Sequence, residues 1–469
     1  MKTLRYLSIF FLLLSSSIYA SKDLDDSLSQ DHTYEKDAQA KDGLDLGNGW
    51  KLFGDIRAGW VGYDYDNAPD GIDSNGNITP TSSSKNKGHL DSKGFYIMPK
   101  ISVESPYYKG LMAKITVGGV SDLDINDEKY ESRTFVYDPK KRKSYAIVQE
   151  AFLFYENSNN KVLIGREELT TPMIDTDDWY MFANSFELAR YQNNSLDNIV
   201  FNLGYFHKMA GTWDSGADNS QGLDKTSFNS MTDVSYIDEI DKTAIGDQGI
   251  YFVSMQYNDK KNHNIQVWNY YGEDTYNTLF IQYDYTNKNN IFSYDAGVQI
   301  INFKETGFLA TNEANTNIDY SLYQARFDGK FDIGIDFATG IAKYTDGEGQ
   351  GATLGAFGGY PYFANGMIFH FFEAGSLQNA SSYKAQVGYD LAKIGLENTW
   401  IGYRYTFFDL DSKYSKSTTG EDQNAMSLNG IRISYTAPKG GYFTGTYEHV
   451  NLDHEPNTYA LRLIGGYKF

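Results

Sequence analysis

The 469-residue chain has no cysteine and only 9 prolines. Without cysteine there is no disulfide scaffold, no thiolate zinc site and no cysteine nucleophile. A mean hydropathy of −0.51 argues against a bundle of membrane-spanning helices, which needs many long apolar runs. Basic residues are in deficit: 41 Lys+Arg stand against 61 Asp+Glu, a formal net charge of −20. That balance argues against wrapping nucleic acid, which requires a basic face. What the chain does have is 39 Tyr, 29 Phe and 44 Gly. Aromatics this abundant are foreign to disordered chains. With so few prolines they suit one large β-sheet protein.

Residues 1–20 read as a secretory signal peptide. Lys2 and Arg5 form a basic start, Tyr6 to Leu14 an apolar centre, and Ala20 a small residue at the cleavage point. The apolar run is too short to span a bilayer. Residues 21–49 are polar and rich in Asp, and read as a mostly flexible acidic periplasmic arm. From Trp50 to the last residue, 50–469, the texture is that of one domain.

That domain is dominated by period-two alternation, the mark of strands half buried on one face. In 399–409, Ile401, Tyr403, Tyr405 and Phe407 oppose Trp400, Gly402, Arg404 and Thr406. The same template gives eighteen candidate strands between 52–65 and 459–469, including a pair at 318–328 and 331–343 joined at Gly329–Lys330. The connections alternate between tight turns such as Asn157–Asn160 and Ala437–Gly440 and long segments such as 66–93, 120–144, 169–185, 209–248 and 344–381. The expected fold is all-β. It is a transmembrane antiparallel β-barrel of about eighteen strands, with long extracellular loops, short periplasmic turns and both termini on the periplasmic side. The closing strand ends on Tyr467 and Phe469, a terminal aromatic pattern read by outer-membrane barrel-assembly machinery.

If the apolar faces meet lipid, the polar faces line an aqueous lumen. Arg57, Lys100, Lys114, Lys208, Arg326, Lys384, Arg404, Arg432 and Arg462 then form a pore-lining basic track. Acids face the same way at Glu104, Asp284, Asp295, Asp332, Asp336, Asp390 and Glu448. Two long loops are too apolar for free exposure and are expected to fold inward as constrictions. Their candidate residues are Asp175, Asp177, Asp178, Trp179 and Tyr180 in one, and Tyr360, Phe363 and Asn365 in the other.

Segments 161–189, 358–409 and 455–469 resemble the OprD family of substrate-selective outer-membrane porins. The stretch from the loop at 358 through Arg404 carries the likeness most specifically. The resemblance implies an eighteen-stranded barrel with inward loops and a ladder of lumen arginines guiding small carboxylate-bearing solutes. Arg404 is the position at which that ladder carries over most directly. The acidic loop at 169–185, and the lysines at several ladder positions, depart from the pattern.

Other motifs are declined. Residues 70–77 (DGIDSNGN) lack the full calcium-loop spacing, and 347–359 lack the Lys-Ser/Thr of a phosphate loop. His207, His370 and Glu373 stand in no metalloenzyme or hydrolase context. The sequence therefore points to a non-enzymatic, passive and partly selective porin with no cofactor and no metal. Its partners would be small solutes, membrane lipid and lipopolysaccharide, with a homo-oligomer left open. An adhesin or structural barrel, or a barrel hydrolase, are the alternatives; the hydrolase lacks a catalytic signature.

Overall fold

The computed structural model describes residues 43–66, 91–127, 130, 144–176, 181–211, 227–234, 247–311, 319–346, 357–359, 361–369, 377–417 and 420–469. The signal segment, most of the arm, the 70–77 motif, Asp177, Asp178, Trp179, Tyr180, Tyr360, His370 and Glu373 lie outside the described residues.

Among the described residues twenty strands share one sheet. Two are short: Leu44–Gly47 and Asn229–Ser230. The other eighteen form the wall. They are β1 (Trp50–Tyr65), β2 (Ser92–Glu104), β3 (Leu111–Val120), β4 (Tyr145–Glu156), β5 (Asn160–Glu167) and β6 (Ser185–Leu196). β7 (Ile199–Ala210), β8 (Ile250–Asn258), β9 (His263–Gly272), β10 (Tyr276–Asn287), β11 (Phe292–Glu305) and β12 (Asp319–Phe331) follow. β13 (Ile335–Tyr344), β14 (Ser381–Asp390), β15 (Thr399–Asp409), β16 (Ala425–Thr436), β17 (Gly441–Leu452) and β18 (Thr458–Lys468) complete it. Each pairs antiparallel with its sequence neighbour, and β1 pairs with β18 from Asp55↔Lys468 to Tyr65↔Thr458. The wall closes on itself, so each of its eighteen described strands has a neighbour on both sides. Past the last strand, Phe469 and Gly54 exchange backbone hydrogen bonds of 2.9 Å in both directions.

The two ends of the barrel differ. One end holds connections 105–110, 157–159, 197–198, 259–262, 288–291, 332–334, 391–398 and 437–440, together with both ends of the wall. The other holds 66–91, 121–144, 168–184, 211–249, 306–318, 345–380 and 410–424, and only 273–275 and 453–457 there are short. Turn chemistry explains the short end. The Asp259 carboxylate accepts backbone N–H groups of Lys261, Asn262 and His263 at 2.8, 2.8 and 2.9 Å. Those donors, His263 first, hold it below its ordinary pKa. Asn157 and Asn289 close two other turns in the same way.

Alternation decides the faces. Ile101, Ile115, Leu153, Ile164, Leu203, Val253, Val298, Ile341, Val387 and Ile431 point outward and are exposed. An apolar belt of this kind is stable only against hydrocarbon. Toward the short-turn end it gives way to packed rings: Phe292–Phe331 at 4.7 Å, Tyr294–Phe327 at 5.4 Å and Phe327–Phe337 at 5.8 Å between centroids. Such aromatic girdles sit at membrane interfaces. The fold is a transmembrane antiparallel β-barrel.

Four expectations are corrected. The turn between β12 and β13 is 332–334, not Gly329–Lys330, and Asp332 lies in that turn rather than on a strand. Gly329 remains in β12, paired with Tyr294 and Phe337, and the rings of Phe292 and Phe337 lie where a side chain would be. The arm boundary at 49 falls inside a hairpin, since Leu44↔Leu52 and Gly47↔Trp50 pair. Lys208 leaves the inner face. A bulge at His207 puts Leu188 opposite Phe206 but Glu187 opposite Lys208, so Lys208 joins Arg166 and Glu187 on the outer face. Finally, the inner face is not uniformly polar. Toward the long-connection end it carries buried Phe252, Phe280, Phe303, Tyr320, Tyr344 and Phe408.

Closure predicts that unboiled protein migrates differently from boiled protein on a denaturing gel. Deleting Phe469 removes the last two backbone bonds to β1, at about 0.5–1.5 kcal/mol each. The temperature at which the folded band disappears is expected to fall by several degrees.

Candidate functional site

Two segments run inside the wall. Residues 361–369 touch strands that lie far apart around the circumference. The Phe363 N–H donates to Gln324 Oε1 on β12 at 2.8 Å, and Ser382 Oγ on β14 donates to the Ala364 carbonyl at 3.2 Å. The Phe369 ring meets Tyr63 on β1 at 5.7 Å. Only a chain within the barrel can make all of these contacts. Residues 170–176 and 181–184 also lie inside. Ile174 bridges to Gly358, the Asp175 N–H donates to the Phe357 carbonyl at 2.9 Å, and Gln149 Nε2 on β4 donates to the Ala183 carbonyl at 2.9 Å. The buried aromatics of the wall form a core with Met173, Met181, Phe182, Tyr362 and Phe369 from these segments and with Phe357. This explains the inner aromatic tier, because an inward segment needs apolar surface to pack on. The wall also makes room by omission: at Gly340 a side chain would strike the Phe363 carbonyl.

The backbone of the inner segment is held by wall side chains. The Glu448 carboxylate on β17 accepts the N–H groups of Met367, Ile368 and Phe369 at 2.6, 2.6 and 2.7 Å. Arg404 on β15 donates to the Gly366 carbonyl at 3.0 Å and, through two nitrogens, to Gln386 Oε1 at 2.9 and 2.7 Å. Arg432 on β16 donates to the Met367 carbonyl and to Thr446 Oγ1, both at 3.0 Å. Thr406 donates to the Asn365 carbonyl at 2.7 Å. Charged partners make these bonds stronger than neutral ones, about 1.5–3 kcal/mol each.

The remaining candidates sort by exposure. Arg326 is buried, paired with Asp284 at 2.9 Å and Asp328 at 2.8 Å, and its guanidinium lies 5.2 Å from the centre of the Phe363 ring. Arg57 is buried and bonded to Asp55 at 3.0 Å. Lys100 pairs with Glu168, and Lys114 with Glu150, both at 2.9 Å; these lysines keep 17% and 22% of their side-chain surface exposed. Lys384 and Arg462 are half-buried on the inner face. Asp175 is buried and accepts from the Thr170 hydroxyl at 2.6 Å, Phe363 lies against Arg326, and Asn365 offers its carbonyl to Thr406. Tyr467 points outward and is 49% exposed.

Sequence reading missed several participants. Arg190 on β6 pairs with Glu167 at 2.6 Å on the inner face. Glu150 and Glu168 neutralise Lys114 and Lys100. Five glutamines on five adjoining strands stand directly opposite one another: Gln256↔Gln266, Gln266↔Gln282, Gln282↔Gln299 and Gln299↔Gln324. Nothing local marks them; only correct register on β8 to β12 aligns them. Among the described residues no cluster of His, Asp and Glu is arranged to hold a metal ion.

No protein-family model matches the chain, and no curated protein sequence does. Solved structures do match. Pseudomonas aeruginosa OccK9 (OpdG) aligns with a TM-score of 0.69 at 11% identity, over 90% of this chain and 98% of that one. A BenF-like porin from Pseudomonas fluorescens Pf-5 aligns at 0.67 and 14% identity, over 90% and 98%. Pseudomonas aeruginosa OccK2 (OpdF) in complex with glucuronate aligns at 0.65 and 12% identity, again over 90% and 98%. The fold is thus the eighteen-stranded barrel of the OprD/Occ type.

Glu448→Gln leaves one acceptor where three N–H donors converge. An unsatisfied buried donor costs about 1–3 kcal/mol. The variant is expected to loosen 367–369, seen as faster amide exchange there at unchanged barrel assembly.

Proposed function

We propose that the chain is a bacterial outer-membrane porin giving passive, partly selective diffusion of small polar solutes. The observation that carries this reading is the closed apolar-belted barrel whose inner face is charged and whose two inward segments are anchored to that face. The likeness to porin barrels supports it. In this reading residues 1–20 are removed on export, the long connections face outward from the cell and the termini face the periplasm. The segments 170–176, 181–184 and 361–369 set the width of the passage. No step of covalent chemistry is assigned to the chain.

The finer reading is a preference for solutes bearing a carboxylate. The glucuronate bound to a protein of the same fold is consistent with it. Arg404 and Arg432 are poor candidates for direct contact with a solute, because their guanidinium groups already hold Gly366, Met367, Gln386 and Thr446. We assign the guiding role instead to Lys384 and Arg462, whose half-buried side chains on the inner face stay partly open to the lumen. Weak, repeated contacts of this kind let a solute enter and leave.

Reconstitution in a planar bilayer tests both levels. Stepwise conductance is expected, and its absence from folded protein removes the porin reading. Lys384→Gln with Arg462→Gln is expected to shift the reversal potential toward cations at low salt, with the shift shrinking as ionic strength rises. An unchanged potential at low salt would leave a channel without a carboxylate track.

A further inference from the structure

The inner wall is charged almost all the way round. From Asp284 on β10, through Arg326, Lys384, Arg404, Arg432, Glu448 and Arg462, and on through β1 to Arg190 on β6, every wall strand turns at least one charged side chain inward. The three adjoining strands β7, β8 and β9 turn none. Outward Leu203, Val253 and Tyr271 fix the phase, so the inward polar side chains of this sector are Asn202, Ser254, Gln256, Asn258, Asn264 and Gln266. All are neutral and five are amides.

We propose that this sector is a recognition face for the uncharged, polyhydroxylated part of a permeating solute, as in a sugar or polyol. The inference rests on the channel reading above and adds a second kind of contact to it. Three observations carry it. First, Gln256, Gln266, Asn202 and Asn264 are half-buried, so the inward segments leave them partly open to the lumen. Secondly, the ladder is committed at one end only. Gln324 donates to Gln299, Gln299 Nε2 to Gln282 at 2.8 Å, and Gln282 Nε2 to Asp284 at 2.7 Å. At the other end the Gln256 amide has no hydrogen-bond partner among the described residues. Gln266 accepts from Trp268 Nε1 at 3.0 Å, which leaves its NH2 group available. Thirdly, an amide is both donor and acceptor, matching a hydroxyl, and carries no charge to trap or repel a solute.

The test uses the full protein in a planar bilayer with potassium chloride as carrier and glucose as the neutral probe. Glucose is expected to attenuate the wild-type current. In Gln256→Leu with Gln266→Leu, the half-blocking glucose concentration is expected to rise about tenfold through loss of two neutral hydrogen bonds. Potassium conductance without glucose is expected to stay unchanged, because no charge is altered. Should the leucine pair fail to assemble, Gln256→Ser with Gln266→Ser keeps the face polar, withdraws the amides and is expected to give the same rise. A wild-type current indifferent to glucose overturns the inference, as does an unchanged half-blocking concentration in a conducting variant; either leaves the channel reading intact. No potassium current from folded wild type sinks the channel reading, and this inference with it.

Discussion

A chain that runs through the middle of a barrel has backbone N–H and C=O groups with no ladder to join. Those groups are expensive to bury unpaired. Here the wall supplies their partners one strand at a time. Gln324, Ser382, Arg404, Thr406, Arg432 and Glu448 contribute from five strands, Arg404 and Thr406 sharing β15, and together hold 363–369. The inner segment is therefore fixed by side chains rather than by secondary structure. Its position depends on the register of β12 to β17, and a register slip of one residue would turn all six anchors to lipid.

The same constraint reshapes the electrostatics. Arginines that look like a conducting track in sequence are in good part anchors and ion-pair partners. Arg57 faces Asp55, Arg326 faces Asp284 and Asp328, and Lys100 and Lys114 face Glu168 and Glu150. Pairing keeps charge soluble in a lumen whose upper tier is aromatic, and removing one partner of a buried pair is costlier than never having had it. It also weakens any long-range field.

Aromatic residues serve two separate purposes. Outside, rings such as Phe292, Phe327, Phe331 and Phe337 pack into a girdle at one rim. Inside, Phe280, Phe303, Tyr320 and Tyr344 form a core under the inward segments. An open channel alone would need only the first set. The second exists because 170–176, 181–184 and 361–369 bring apolar side chains into the lumen, and these must be covered.

The sequence by itself determined the barrel. Period-two alternation, carried in strands such as β15 and β3, depends only on which neighbours along the chain face water or lipid, so it is legible locally. The alternation of short and long connections was legible for the same reason. The apolar content of the two loops raised the expectation that they fold inward, and the contacts of 170–176, 181–184 and 361–369 are made inside the wall. What only the tertiary structure decided is the pairing of side chains across strands. The His207 bulge that moves Lys208 to the outer face, the carboxylate of Glu448 closing on 367–369, and the alignment of Gln256 to Gln324 all depend on register between segments. Register is set by the whole closed sheet and not by the residues it brings together. So the wall could be read from the chain, but the roles of the side chains it turns inward could not.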